Sequence, residues 1–96
     1  MLDLHIFGER LRGLRKGRGL VLEDIAQLLA VSTTQVGDME NGKTGTTMVR
    51  LVLLAEFYHV STDYLLGITD DPAWRGGGPE GRTVGARRGL LRQQRM

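Results

Sequence analysis

Every apolar stripe in this chain repeats at helical spacing, and the stripes stop at Gly67. Phe7, Leu11 and Leu14 fall at i, i+4 and i+7, one face of a first helix whose other side carries Arg10, Arg12, Arg15 and Lys16. Gly17 and Gly19 end it. A second helix, about Leu22 to Leu29, buries Ile25, Ala26 and Leu29, with Glu23 and Asp24 in the first turn, where the helix dipole favours acids. Ser32-Thr33-Thr34-Gln35 has the form of a capping box and opens a third helix that runs to about Glu40, with Val36 and Met39 inward and Asn41-Gly42 as its stop. A fourth helix, roughly Thr47 to Tyr58, buries Leu51, Leu54, Ala55 and Tyr58. Val60 and a Ser61-capped fifth helix to Leu66 follow, closed by Gly67. The expected fold is all-α, a bundle of five short helices. The tight connection between the second and third is the kind found in a helix-turn-helix.

Past Gly67 the composition changes. Residues 68–96 hold six glycines and both prolines, and too few apolar side chains to offset the entropy of ordering them. The charge divides at the same place. Residues 1–67 carry seven Lys/Arg against eight Asp/Glu, net −1, whereas 68–96 carry six Arg against three acids, net +3, so the positive charge sits in the C-terminal part. The expected organisation is a domain over residues 1–67 and a flexible Gly/Arg-rich basic tail over 68–96. Trp74 is expected to fold back on the bundle beside the fifth helix, with a dimer contact as the sharper alternative.

Several classes of function are excluded. At 96 residues the chain has room for one domain. With no cysteine there is neither a disulfide nor a thiolate metal site, and His5 and His59 are too far apart in sequence to suggest a metal cluster. No cofactor is expected. The start "MLDLHIFGERLR" does not read as a signal peptide and no run approaches 18 apolar residues, so no membrane partner is expected and a cytoplasmic location is.

"GDMENGKT", Gly37 to Thr44, matches the phosphate-loop pattern G-x-x-x-x-G-K-[ST] letter for letter. That loop must follow a buried strand, and the enzymes that use it need several parallel strands and a separate magnesium carboxylate. Here the glycine follows a capped helix start. Gly37 therefore belongs inside a helix, and the match is a helix end plus a connection. No nucleophile, base and orienting group can be assembled, so the chain is not expected to be an enzyme.

Four blocks, "ERLRGLRKGRGL", "IAQLLAVS", "VGDMENGK" and "LVLLAEFYHVSTDYLLG", together resemble the Cro and phage-repressor type of helix-turn-helix regulator (the XRE family) over about residues 6–67, with family spacing and no gap. The resemblance implies a repressor-like five-helix domain that places its third helix in the major groove of double-stranded DNA, often as a homodimer on a palindromic operator. Base-facing positions then fall on Thr33, Thr34, Gly37 and Asp38. Asn41 and Lys43 match the phosphate-contacting positions, with Thr44, Thr46, Thr47 and Arg50 as helpers. Departures are plain. Val21 and Leu22 stand where relatives carry Ser/Thr and a phosphate-binding Gln, Gly37 reaches nothing, and Asp38 is acidic, with a cytosine amino group as its one favourable base partner.

Taken singly, these residues also have plain readings: Thr33 and Thr34 as first-turn residues, Lys43 as a loop lysine, and Arg12, Arg15, Lys16 and Arg18 as a solvated helix face. In family register they point to a sequence-specific DNA-binding transcriptional regulator, a repressor by analogy. The alternative is a protein-interaction module whose reading face has decayed and which binds a protein partner through its surface or its arginine tail. The charge around the third helix discriminates: Asp38, Glu23 and Glu40 against Lys43 and Arg50.

Overall fold

The computed structural model describes residues 2–74. Five helices follow one another: α1 (Leu4–Gly17), α2 (Leu22–Leu29), α3 (Thr33–Glu40), α4 (Met48–Tyr58) and α5 (Thr62–Leu66). There is no strand among the described residues. Local chemistry sets most of the boundaries. Asp3 accepts from the amides of His5 and Ile6 and opens α1, a cap absent from the sequence reading above. Ser32 accepts from Gln35 N at 3.1 Å while Gln35 Oε1 accepts from Ser32 N at 3.4 Å, the reciprocal box expected at α3. Thr47 and Ser61 cap α4 and α5 by the same kind of bond, to Arg50 N and Tyr64 N. Val21 has no acceptor to offer α2, and the bond runs only the other way, from Val21 N to Asp24.

The stripes meet in one core. Leu54 and Leu65 are fully buried, and Phe7, Leu11, Ile25, Leu29, Val36, Met39 and Tyr58 join them. Leu51, expected inside, is only half buried and packs against the edge of the core, while Met48, Val49 and Val52 beside it are exposed. Packing sets α1 against α3 and α5, and α2 against α3. The α1–α3 crossing depends on Gly8. A Cβ at that position would stand 2.6 Å from Met39 O and nearer still to Glu40 O, so only a glycine lets α1 come this close to the end of α3.

The packed chain continues beyond Gly67. Arg10 donates to the carbonyls of Tyr64 and Thr69 and to Asp70, with its guanidinium 4.2 Å from the centre of the Tyr64 ring. Ser61 N donates to Pro72 O at 3.2 Å. Trp74 is half buried and stacks on His59 at 5.2 Å, at the junction of α4 and α5, so it does return to the bundle. Residues 68–74 thus form a strap across α1 and the α4–α5 corner. The basic tail beyond them, with Arg75, Arg82, Arg87, Arg88, Arg92 and Arg95, lies outside the described residues.

Candidate nucleic-acid interface

Between Leu29 and Thr33 the chain turns in three residues: Ala30 in the left-handed conformation, Val31, and the cap Ser32. Ala26 O accepts from Val31 N at 3.0 Å, which closes α2. Ile25, Ala26 and Leu29 of α2 and Val36 and Met39 of α3 belong to one buried cluster. With the inner face of α3 so occupied, its other face stays in solvent. Thr33, Thr34 and Gln35 are exposed on the first turn, and Gly37 and Asp38 are half buried on the second. Nothing lies within 4 Å of where a Cβ on Gly37 would be. The apparent phosphate loop resolves into the last turn of α3 and the connection after it, with Lys43 N donating to Asp38 O at 2.9 Å.

That connection makes a shelf beside α3. A cleft of about 430 Å³ is bounded by Gln35 and Met39 on one side and by Thr44, Thr46, Thr47 and Arg50 on the other. The structure therefore brings Thr44, Thr47 and Arg50 together next to the exposed start of α3. Asn41 and Lys43 are exposed at its end. Gln35, read from the sequence only as half of a capping box, also faces this cleft.

Charge is arranged differently from the sequence expectation. Glu40 is buried, and Arg15 grips both its oxygens, Nε to Oε2 at 2.7 Å and Nη2 to Oε1 at 3.0 Å. Arg12 Nε lies 3.6 Å from Oε1 and its Nη2 donates to Asn41 Oδ1. The hydrogen bond to Glu40 pushes the Arg15 pKa further up, against the opposing pull of burial. Glu40 thus presents no free negative charge to a ligand. Around α3 this leaves Asp38 and Glu23 against Lys43, Arg50 and the surplus cation of the Arg12–Arg15–Glu40 cluster.

The basic run along α1 and its C-cap is only partly the solvated face expected: Lys16 and Arg18 are exposed, but all three arginines are anchored within the protein. Arg15 is bound to Glu40 and Leu20 O, Arg12 to Glu40 and Asn41, and Arg18 to the carbonyls of Phe57 and Tyr58 at the end of α4. The sequence does hold a signal for one of them, since Arg15 stands at i+4 from Leu11 and so on the buried stripe. The reach of the other two depends on elements about 30 to 40 residues away.

The profile of the family described as helix-turn-helix domain matches residues 6–65. Among curated proteins the chain is 39% identical over 67 residues to YobD of Bacillus subtilis, an uncharacterized HTH-type transcriptional regulator, covering 70% of this chain and 60% of that one. It is 38% identical over 60 residues to the HTH-type transcriptional activator BcrR of Enterococcus faecalis, covering 62% and 29%. The chain thus spans less than two thirds of these relatives' length. Among solved structures, a transcriptional regulator from Listeria innocua superposes with a TM-score of 0.62 at 39% identity, over 64% of this chain and 57% of that one. The P22 c2 repressor, solved in complex with a synthetic operator, gives 0.60 at 28% identity over 64% and 92%. The sequence profile, the relatives and the geometry agree: this chain belongs to the helix-turn-helix domain family.

Proposed function

We propose that the chain is a sequence-specific regulator of transcription that binds double-stranded DNA as a homodimer, with α3 in the major groove, and that it acts as a repressor. The observation that carries this reading is the exposed, capped start of α3 beside the Thr44–Thr47–Arg50 shelf, with the one buried acid at its end already neutralised by arginine. Thr33 and Thr34 reach base edges or thymine methyls. Asp38 accepts from a cytosine amino group, and Gly37 leaves room for the base pair opposite it. Asn41 and Lys43 hold phosphates at one side of the groove, with Thr44, Thr47 and Arg50 at the other. The Asn41 amide and the threonine hydroxyls bind as neutral groups. The arginine-rich tail adds sequence-independent attraction.

A second copy is proposed on the outer face of α4. Met48, Val49 and Val52, at i, i+1 and i+4, are 82%, 74% and 48% exposed, an apolar strip next to the phosphate shelf that a twofold partner would cover. No helix among the described residues is long and apolar enough to cross a membrane. The proposed place of action is the cytoplasm, with the DNA, and no reaction is assigned to the site.

Selection from random duplex DNA tests the proposal. The expected product is a palindrome whose half-sites lie about one helical turn, ~34–36 Å, apart. Failure to enrich any sequence, with equal binding to random duplex and to the DNA upstream of the chain's own gene, would leave the domain as a protein-binding module.

A further inference from the structure

Asn41 ends α3, and the orientation of its side-chain amide decides what it can offer. A carboxamide has an acceptor end and a donor end, and the torsion that exchanges them is broad and nearly twofold. Only the NH2 end can bind a phosphate oxygen. The oxygen end would repel it.

In this structure the choice is made by Arg12. A guanidinium carries only donors, so the Asn41 atom that receives Arg12 Nη2 is the oxygen, and the NH2 group with its two protons is left to point elsewhere. Arg12 is itself held, since its Nε stands 3.6 Å from Glu40 Oε1, and Glu40 is buried and gripped by Arg15. Arg15, Glu40, Arg12 and Asn41 form one chain of charge-assisted contacts that runs from the interior to the exposed end of α3. Its inner end is rigid because Arg15 and Glu40 are 11% and 3% exposed at their side chains. Its outer end is the amide.

We propose that Arg12 is a positioning residue: it fixes the Asn41 carboxamide with its NH2 group outward, as a ready donor to a DNA phosphate. The inference rests on the reading of the chain as a DNA-binding protein and adds the residue that prepares one of its phosphate contacts. Arg12 does this through Nε and Nη2, both engaged within the protein.

The full chain is titrated with a selected operator duplex and a random duplex over a range of salt. Arg12→Gln is expected to weaken both complexes by roughly tenfold, the worth of one hydrogen bond to a charged group, with no change in the slope of log affinity against log salt. In an Asn41→Ala background the same substitution should have no further effect. Asn41→Asp, which keeps a partner for Arg12 and removes both donors, should bind more weakly than Asn41→Ala. In the free protein, the side-chain amide resonances of Asn41 should shift on Arg12→Gln while the backbone amides of α3 keep their positions. A slope that falls by about 0.9 with Arg12→Gln, with the loss persisting in Asn41→Ala, would make Arg12 the phosphate ligand and overturn the proposal. Additive losses at constant slope, or an unmoved Asn41 amide, would overturn it too. A parent protein that binds no duplex while the amide still responds would instead remove the DNA-binding reading, and the phosphate role with it.

Discussion

Arg15 on α1 donates to both oxygens of Glu40 on α3, at 2.7 and 3.0 Å, across 25 positions of sequence and in the absence of bulk water. Two charges taken out of solvent are stable there only together. Glu40→Leu alone, or Arg15→Met alone, is expected to destabilise the domain by about 3 kcal/mol, because each removes its partner's main counter-charge and leaves Glu40 only Arg12 at 3.6 Å, or Arg15 only the Leu20 carbonyl. The double substitution should cost less than either alone. Urea unfolding of the three variants checks this, and additive losses would show that the pair is not coupled.

Gly8 and Gly37 offer a paired test of close approach, since both lie inside helices and both would gain helix propensity of up to about 1 kcal/mol as alanine. At Gly37 a Cβ meets nothing within 4 Å, so Gly37→Ala should stabilise by that amount. At Gly8 the Cβ meets the rigid carbonyls of Met39 and Glu40, and Gly8→Ala should destabilise by about 1–3 kcal/mol net as α1 is forced from α3. Opposite signs of the shift in Tm are expected. Shifts of one sign would mean that the crossing tolerates a methyl group.

Gly8 also shows where the sequence stops being readable. Helix boundaries at α3 and α5 were legible because their causes are local: a serine, its partner three residues on, and a closing glycine. The register of Thr33, Thr34, Asn41 and Lys43 followed from family spacing. The contacts that join distant elements were not legible. Glycines at 8 and 13 look alike in sequence, yet a Cβ at one would run into the carbonyls ending α3 and a Cβ at the other would meet no neighbouring element within 4 Å. The α1 arginines read as a solvated face because their partners are carbonyls and a carboxylate brought up only by the fold. Arg12 and Asn41 belong to blocks that the sequence treats as independent.

Tyr58 makes stability fall at high pH. Its phenol is buried, and burial, with the Glu40 charge acting in the same direction and Arg15 and Arg18 against it, pushes its pKa up to about 12. The unfolded phenol ionises near about 10. Between those values the unfolded chain gives up its proton before the folded one, so stability is full below about pH 10 and declines towards pH 12. A Tm series from pH 8 to 11.5 should show the decline, and Tyr58→Phe should flatten it. An equal decline in the variant would assign the effect to other groups.

Asp38 is half buried on the second turn of α3, and in the proposed complex its carboxylate stands near phosphates. Asp38→Asn should raise affinity for random duplex about threefold to tenfold, the scale of roughly 1 kcal/mol for a partly exposed charge. It should also change the preference at one base pair, because an amide can donate where the carboxylate only accepts. Unchanged affinity together with unchanged preference would turn Asp38 away from DNA.

Two truncations separate the strap from the tail. A chain ending at Trp74 keeps the Arg10 bonds to Thr69 and Asp70, the Ser61–Pro72 bond and the stack of Trp74 on His59. It should melt close to the parent. A chain ending at Gly67 loses all of these and leaves the half-buried Arg10 guanidinium with one carbonyl in place of two carbonyls and a carboxylate, so its Tm should fall by several degrees. DNA binding divides the other way. The shorter cut at Trp74 already removes the six tail arginines from Arg75 to Arg95. If four of them neutralise phosphates, the slope of log affinity against log salt should flatten by about 3.6 per bound chain, with operator and random duplex weakened nearly alike. An unchanged slope would show that the arginines do not serve DNA. "GARRGLLRQQR", with Leu90 and Leu91 between arginines, would then be tested for binding to a partner protein or a second copy of the chain.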